Sequence, residues 1–424
     1  MTAVTRKAEL FTDFLYLASE GKKRLTAPMK KICMVAYTNY LSDARPRREA
    51  ETLVRRGDQV DFIAVGEKDR PSTETVQGVR VFRVKQLRYR GGGGLSYIFA
   101  YLRFLCAATF KLVRLFRKEH YDIVYVHTMP DLLVLVGLIP KLFGARIVLN
   151  IHDMMPELYM SKFGISEKHP LIRLLAFQEQ FSIWLADKVI CVHHPHRDVL
   201  CRRGARIEKI TVLPNVPDPL IFRRDSTAPK TESTFRIVYH GTIARRLGLD
   251  LGVRAFAKAT DACPEARLEI YGDGDAGDEL EAQIKASGVA DRIHFSKKMF
   301  RVESIAEMIQ GASVGLIPNR RDVATDYMLP VKLLEYVHLG IPVIAPRLLA
   351  IQYYFSDEQV AYYEPGDVDE LADCICRLYA DPVKRAELAR NGAEFAKKFH
   401  WDRLKADLYK VIDDGLVETR EATA

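Results

Sequence analysis

Cysteine is scarce and carries no pattern. The chain has 7 cysteines in 424 residues, no C-x-x-C, and only Cys374 and Cys376 close in sequence. That excludes a disulfide framework and reads as reduced thiols in a cytosolic protein. Long apolar runs are missing as well. The nearest candidate, Leu95 to His120, is interrupted by Arg103, Lys111, Arg114, Arg117 and Lys118, so no transmembrane helix is expected. Residues 1–29 have no sustained apolar stretch and no cleavage site, and read as an N-terminal extension rather than a secretory signal. Disorder is excluded too, because 48% of the residues are hydrophobic and can fill a core.

Charge is present but uneven. Through Leu220 there are 35 Lys+Arg against 22 Asp+Glu, a surplus of 13; the remainder has 28 against 33, a deficit of 5. A basic half followed by an acidic half predicts an anionic partner for the first half alone. Nucleic acid is not the partner expected here. The five cations of Leu95 to His120 fall within an arc of about 120° at about 100° per residue, which makes an amphipathic helix with a basic stripe. Such a helix packs on a sheet or lies at a membrane surface, and residues 95–118 are the expected peripheral membrane contact.

Short apolar runs alternate with helical patterns along the whole chain. The first series is KICMVAY, QVDFIAV, VRVFRVK, YDIVYVH, RIVLNIH, KVICVH and KITVLPN. After a Pro-, Ser- and Thr-rich break the series restarts with FRIVYHG, RLEIYG, RIHFS, SVGLIP, PVIAP and VAYYEPG. Strands that are apolar throughout and joined by helices predict parallel sheets covered on both faces. The expected organisation is an N-terminal extension (1–29), a first Rossmann-like domain (30–216), a linker (217–234) and a second Rossmann-like domain (235–398). Residues 399–424 are expected to form a C-terminal helix packing back towards the first domain. Two doubly wound α/β domains would face each other across a cleft, with ligands beyond the carboxyl ends of the strands.

The turn YGDGDAG, Tyr271 to Gly277, has the glycine spacing of a dinucleotide site. Its carboxylates argue against that use. Asp273, Asp275, Asp278 and Glu279 would repel a pyrophosphate, while they suit the positive end of a helix. The turn therefore reads as structural, and Asp273-Gly274-Asp275 is not expected to hold a metal. His193-His194-Pro195-His196 likewise reads as a turn.

The segment TDYMLPVKLLEYVHLGIPVIAP, Thr325 to Pro346, is more specific. Pro330 is placed like the first helical residue and Gly340 like a stop. Leu333, Leu334 and Val337 predict the buried face. The free N–H groups at the start suit a phosphate, Lys332 adds a cation, and Glu335 lies about 7.5 Å along the axis, where its carboxylate could accept from two ribose hydroxyls. The plainer alternative is that Lys332 and Glu335 form a surface pair on a solvated face. Upstream, a strand ends at His240, and Gly241, Thr242, Arg245 and Arg246 follow in a turn able to approach a diphosphate.

With DARPRREAETLVRRGDQVDFI, NIHDMMPE, VLPNVPD, HGTIARR and LPVKLLEYVHLGIPVIAP, the chain from about Lys30 to Gly415 resembles the family 4 glycosyltransferases, with their two-domain GT-B fold and retaining stereochemistry. The resemblance implies a nucleoside-diphosphate sugar as donor, no bound cofactor, and an acceptor that is a glycan or lipid-linked. It implies that Glu335 holds the ribose, that Arg245 holds the diphosphate, and that His152 touches the donor sugar. Asp326, Tyr327, Leu329 and Pro330 would complete the donor side. By position alone, Arg45, Arg47 and Arg48 follow the first strand and could meet a phosphate-bearing acceptor or simply form a basic helix start. The resemblance also implies polysaccharide or glycolipid assembly in the cytoplasm, at the inner face of the cell membrane. A nucleotide-sugar epimerase of the same fold and an NAD-dependent oxidoreductase are the alternatives. Three departures stand out. Tyr327 occupies the usual carboxylate position eight residues before Glu335, with Asp326 beside it. No lysine follows the turn arginine, which leaves Lys332 or Arg246 to supply that charge. The loop after the first strand, AYTNYLSDARP, has no glycines.

Overall fold

The computed structural model describes residues 29–88, 94–223 and 234–414. The expected extension falls almost wholly outside them, as do residues 224–233 of the linker. The chain divides into two units: one runs to Leu149 and is rejoined from Leu408, and the other is Asn150–Asp407.

The first sheet follows the apolar runs. It starts with β1 (Lys31–Ala36), α1 (Ala44–Arg56), β2 (Gln59–Gly66), β3 (Thr73–Val76), β4 (Val79–Leu87) and α2 (Gly94–Glu119). Then come β5 (Ile123–His127), α3 (Leu138–Leu142), β6 (Arg146–Ile151), α4 (Met155–Phe163), α5 (Pro170–Leu185), β7 (Lys188–Cys191), α6 (His194–Arg202) and β8 (Ile210–Val212). The strand order is β3-β4-β2-β1-β5-β6-β7-β8. The order reverses between β1 and β5, so the site-forming crevice of this sheet lies at their carboxyl ends.

β3 is the element that the sequence reading lacks. Its sequence, TETV, is polar and partly exposed, and it pairs antiparallel with β4 as an edge strand. The signal for it is the Gln77-Gly78 pair, where both residues have positive φ (48° and 83°). That is the backbone of a tight hairpin, whose twist matches the flanking strands.

The second sheet holds β9 (Phe235–His240), α7 (Leu249–Ala259), β10 (Ala266–Tyr271), α8 (Gly277–Ala286), β11 (Ile293–Phe295), α9 (Val302–Ile309) and β12 (Val314–Leu316). It continues with α10 (Val331–Leu339), β13 (Val343–Pro346), α11 (Leu349–Tyr354), β14 (Ala361–Tyr363), α12 (Val368–Ala380), α13 (Pro382–Lys398) and α14 (Trp401–Asp413). Its order is β11-β10-β9-β12-β13-β14, and its pairings are parallel. Ile237, Leu268, Ile270, Leu316 and Ile344 fill its core with Val253 and Phe256 of α7. The reversal falls between β9 and β12, which puts the crevice beside Gly241 and Asn319.

At the end of α14, Asp413 binds Arg56 of α1 at 3.0 and 2.9 Å, and the Arg56 guanidinium lies 4.8 Å from the Tyr409 ring. These contacts belong to the first unit.

Candidate active site

The centre of the second-sheet site is α10. Its N-cap is Pro330 (φ −65°, ψ 125°), so Val331, not Pro330, is the first helical residue. The one-residue correction follows from ψ, since the proline ring fixes φ alone. Gly340 ends the helix in the left-handed conformation at φ 72°, and its N–H reaches the carbonyls of Tyr336 and Val337. Leu333, Leu334 and Val337 are buried as expected.

The opposite side of α10 is not solvated, which overturns the surface-pair alternative. Glu335 is only 8% exposed, and the Lys332 ammonium is buried without a hydrogen-bond partner. The end of β9 covers both. Lys332 Nζ lies 3.7 Å from the Tyr239 ring centroid, and Glu335 Oε2 lies 3.1 Å from His240 Nε2. That approach lacks hydrogen-bond alignment, because His240 Nε2 has no hydrogen-bond partner. The His240 ring stands edge-on to Tyr336 at 5.3 Å. Tyr336 in turn donates to the Val238 carbonyl at 3.2 Å, which ties α10 down onto β9. β12 makes room through Gly315, where a Cβ would come 2.3 Å from the Tyr336 ring.

Burial pushes the Lys332 ammonium down to about 7, against the opposing pull of Glu335. A buried cation with unspent donors is costly unless an anion meets it. Together with the uncapped start of α10, this is an arrangement able to accept an anion, with a carboxylate one turn further along.

The turn after β9 carries the remaining expected residues. Gly241 has φ 101°, a conformation that favours glycine. Thr242 accepts the Tyr239 hydroxyl at its carbonyl, 2.7 Å, and its own side chain is exposed. Arg245, expected at the diphosphate, points to a neighbouring helix. Its side chain is 80% exposed and pairs with Glu279 of α8 at 3.0 Å. Arg246 is half-buried, and its Nε has no partner. Burial raises the Tyr239 phenol's pKa, and Arg246 lies close enough to oppose part of that rise. Among the described residues, Arg246 Nε and Lys332 Nζ are thus buried cationic nitrogens without a hydrogen-bond partner at this end of β9.

The glycine turn of β10 has a structural role. A Cβ on Gly272 would lie 1.9 Å from the Gly241 carbonyl oxygen, and one on Gly274 would lie 2.1 Å from that of Ile243. Gly241 N–H bonds Tyr271 O at 2.9 Å and Ile243 N–H bonds Asp273 O at 3.0 Å. The turn clamps the loop after β9 instead of opening to a ligand. Among the described residues, no group of three or more His, Cys, Asp or Glu is placed to hold a metal ion. In the first sheet's HHPH stretch, His193 Nδ1 accepts from His196 N–H at 3.0 Å and caps α6.

The donor-side loop before α10 is self-engaged. Asp326 accepts from Leu349 N–H at 3.4 Å and lies 3.5 Å from Arg321, so its carboxylate is turned to the start of α11. The Tyr327 hydroxyl accepts from Arg202 at 3.2 Å. Leu329 is half-buried and Pro330 buried. Sequence reasoning missed Asn319, which follows β12, is 1% exposed and has an unpartnered buried Oδ1. Its signal was a polar residue placed directly after an apolar run, LIPN. It also missed Tyr239, because an aromatic inside a strand reads as core.

The first sheet gathers polar groups at the ends of β1 and β5. The buried Nη1 of Arg45 and Oγ1 of Thr38 have no partner. Arg48 and His127 are buried, and burial together with Arg45 holds the His127 imidazole down to about 3, so it is neutral. His152 follows β6 and is half-buried.

Two tandem Rossmann-like sheets, each with polar residues at its switch point, define a GT-B-type enzyme. The chain matches the glycosyl transferase 4-like domain over residues 43–216 and the glycosyl transferases group 1 domain over 234–381, and it belongs to the family 4 glycosyltransferases. It is an enzyme that transfers a sugar. A D-inositol 3-phosphate glycosyltransferase of Acidothermus cellulolyticus is 29% identical over 236 residues, 52% of this chain and 51% of that protein. The alignment thus spans about half the length of that relative. Among solved structures, a sucrose-phosphate synthase from Thermosynechococcus elongatus superposes with a TM-score of 0.72 at 20% identity, covering 91% of this chain and 98% of the other. The Anabaena protein HepE, in complex with UDP and glucose, gives a TM-score of 0.65 at 16% identity, covering 90% and 99%.

Proposed function

We propose that the protein is a retaining glycosyltransferase that moves a sugar from a nucleoside-diphosphate sugar to an acceptor hydroxyl. The observation that carries the donor half is the buried Lys332–Glu335 pair at the uncapped start of α10. The diphosphate would lie at the helix start, met by Lys332 and by Arg246 from the turn after β9. Glu335 would accept hydrogen bonds from the ribose hydroxyls. The HepE complex with UDP and glucose supports a donor of this class.

In the proposed reaction, the bond from the anomeric carbon to the diphosphate oxygen breaks with its electron pair leaving on phosphate. The acceptor oxygen bonds to the same face of that carbon, and its proton passes to the departing phosphate oxygen. Lys332, Arg246 and the α10 N–H groups stabilise the charge that develops on the leaving group. His152 steers the sugar. Arg45, beside His127, and Arg48 receive the acceptor, and no bound cofactor is required. The inositol phosphate in the relative's name supports an anionic acceptor. Polysaccharide or glycolipid assembly in the cytoplasm is the setting that suits these parts. No helix among the described residues is long and apolar enough to cross a membrane. Exposed Ile98, Phe99, Leu102 and Phe110 on α2 support a peripheral contact through residues 95–118.

Calorimetry with UDP, GDP and dTDP tests this reading. One diphosphate should bind the wild type, and Glu335→Ala should weaken it by at least about 3 kcal/mol, roughly two orders of magnitude, since two charged hydrogen bonds are lost. Unchanged affinity in Glu335→Ala rejects the assigned site. Conversion of donor alone to an isomeric nucleotide sugar would instead mark an epimerase.

A further inference from the structure

The first sheet carries a cavity that narrows the acceptor class. It has a volume of about 920 Å³ and lies at the carboxyl ends of β2 and β4, against the first turns of α2. Its floor is electrically balanced. Arg83 is spent on Glu67 at 3.3 Å and Glu74 at 2.6 Å, and Arg70 approaches Glu74 at 3.6 Å. Gln86 fixes the geometry by donating to the Ala100 carbonyl of α2 at 2.8 Å.

The rim is different. Lys85, Arg88 and Arg103 line it, are exposed and have no carboxylate partner among the described residues; Arg103 donates to the Lys85 carbonyl at 3.2 Å. Between these cations stand Leu87 and Phe99, 57% and 69% exposed. Phe99 and Arg103 are one helical turn apart and share a face. Ile98 and Leu102, on the adjoining stripe of α2, extend the apolar rim and are also more than half exposed. Three unpaired cations exclude a purely apolar occupant, and four exposed apolar side chains are wasted on a small hydrated anion.

We infer that this cavity takes an anionic amphiphile as the acceptor, its phosphate or carboxylate among Lys85, Arg88 and Arg103 and its tail along Leu87, Phe99 and the outer stripe of α2. In the sheet order β4 is two strands from β1, about 10 Å at about 4.8 Å per strand. An acceptor seated here therefore reaches the Thr38–Arg45 region with a hydroxyl. The inference rests on the transferase reading for its role, and on the cavity alone for its ligand class.

The test uses the full chain, calorimetry at low salt, and three probes: octyl phosphate, inorganic phosphate and 1,2-octanediol. Octyl phosphate should bind at least about ten-fold more tightly than either other probe, because both halves of the site are engaged. The exposed charge reversal Lys85→Glu with Arg103→Glu should weaken it about ten-fold or more and leave nucleoside diphosphate binding unchanged. Phe99→Ser should bring octyl phosphate down to the level of inorganic phosphate. Inorganic phosphate binding as well as octyl phosphate would mean a site for a free anion, and the diol binding as well would mean a merely apolar groove. Either result overturns the inference, as does unchanged affinity in the charge-reversed variant. Glu335→Ala should keep octyl phosphate binding. Loss of nucleotide binding alone thus counts against the donor site, and loss of octyl phosphate binding alone counts against this one.

Discussion

Lys332 shows most directly how a residue's surroundings become function. Its ammonium is buried over the Tyr239 ring, and burial lowers its pKa from 10.5 to about 7. Below about pH 7 the folded and unfolded chains both hold the proton, and the cost of burying it is borne in full. Between about 7 and 10.5 the folded chain has released a proton that the unfolded chain retains, so stability rises with pH by up to about 1.4 kcal/mol per unit. Lys332→Met should therefore be more stable than wild type at pH 6, with the gap closing by pH 9; urea denaturation at both values reads it. A diphosphate would restore the proton. Binding should be accompanied by proton uptake at pH 8, seen as a buffer-dependent calorimetric enthalpy, and Lys332→Met should abolish it. A buffer-independent enthalpy at pH 8 removes Lys332 from the diphosphate site.

At the scale of elements, the loop after β9 is held by its neighbours as much as by its own sequence. The β10–α8 turn lies so close that Gly272 and Gly274 cannot carry a Cβ without moving the carbonyls of Gly241 and Ile243. Gly272→Ala should cost about 2 kcal/mol in denaturant unfolding, a typical overpacking penalty. Because the displaced backbone belongs to the donor loop, nucleotide affinity should fall as well. A variant that loses stability and keeps full affinity would separate the clamp from the site. Gly315→Ala acts through another element: it would press on Tyr336 and tilt α10 away from β9, and it should weaken nucleotide binding with Lys332 and Glu335 both intact.

At the scale of the molecule, the proposed donor and acceptor sites belong to different sheets. Nucleoside diphosphate at about 100 times its dissociation constant should stabilise the protein by about 2.7 kcal/mol. Hydrogen exchange should then slow in α10 and in residues 241–246, with β1 to β4 unaffected. Protection centred on β1 to β4 would assign the nucleotide to the wrong half. The basic surplus of the first 220 residues matches the three unpaired cations at the β4 rim, and the acidic second half leaves Lys332 and Arg246 as local exceptions.

The sequence by itself determined the two series of parallel strands, the helix ending at the Gly340 stop with its start set one residue early, and the family. The strands and the helix follow from local periodicity and capping, which need only near neighbours along the chain, and the family follows from the motifs it resembles. Only the tertiary structure decided that the Lys332 ammonium and Glu335 are buried, that Arg245 is exposed and paired with Glu279 while Arg246 is half-buried near Tyr239, and that TETV is an edge strand. Helical spacing fixes which residues share a face. It does not say what covers that face, and here the end of a strand nearly a hundred residues upstream buries an apparent surface pair.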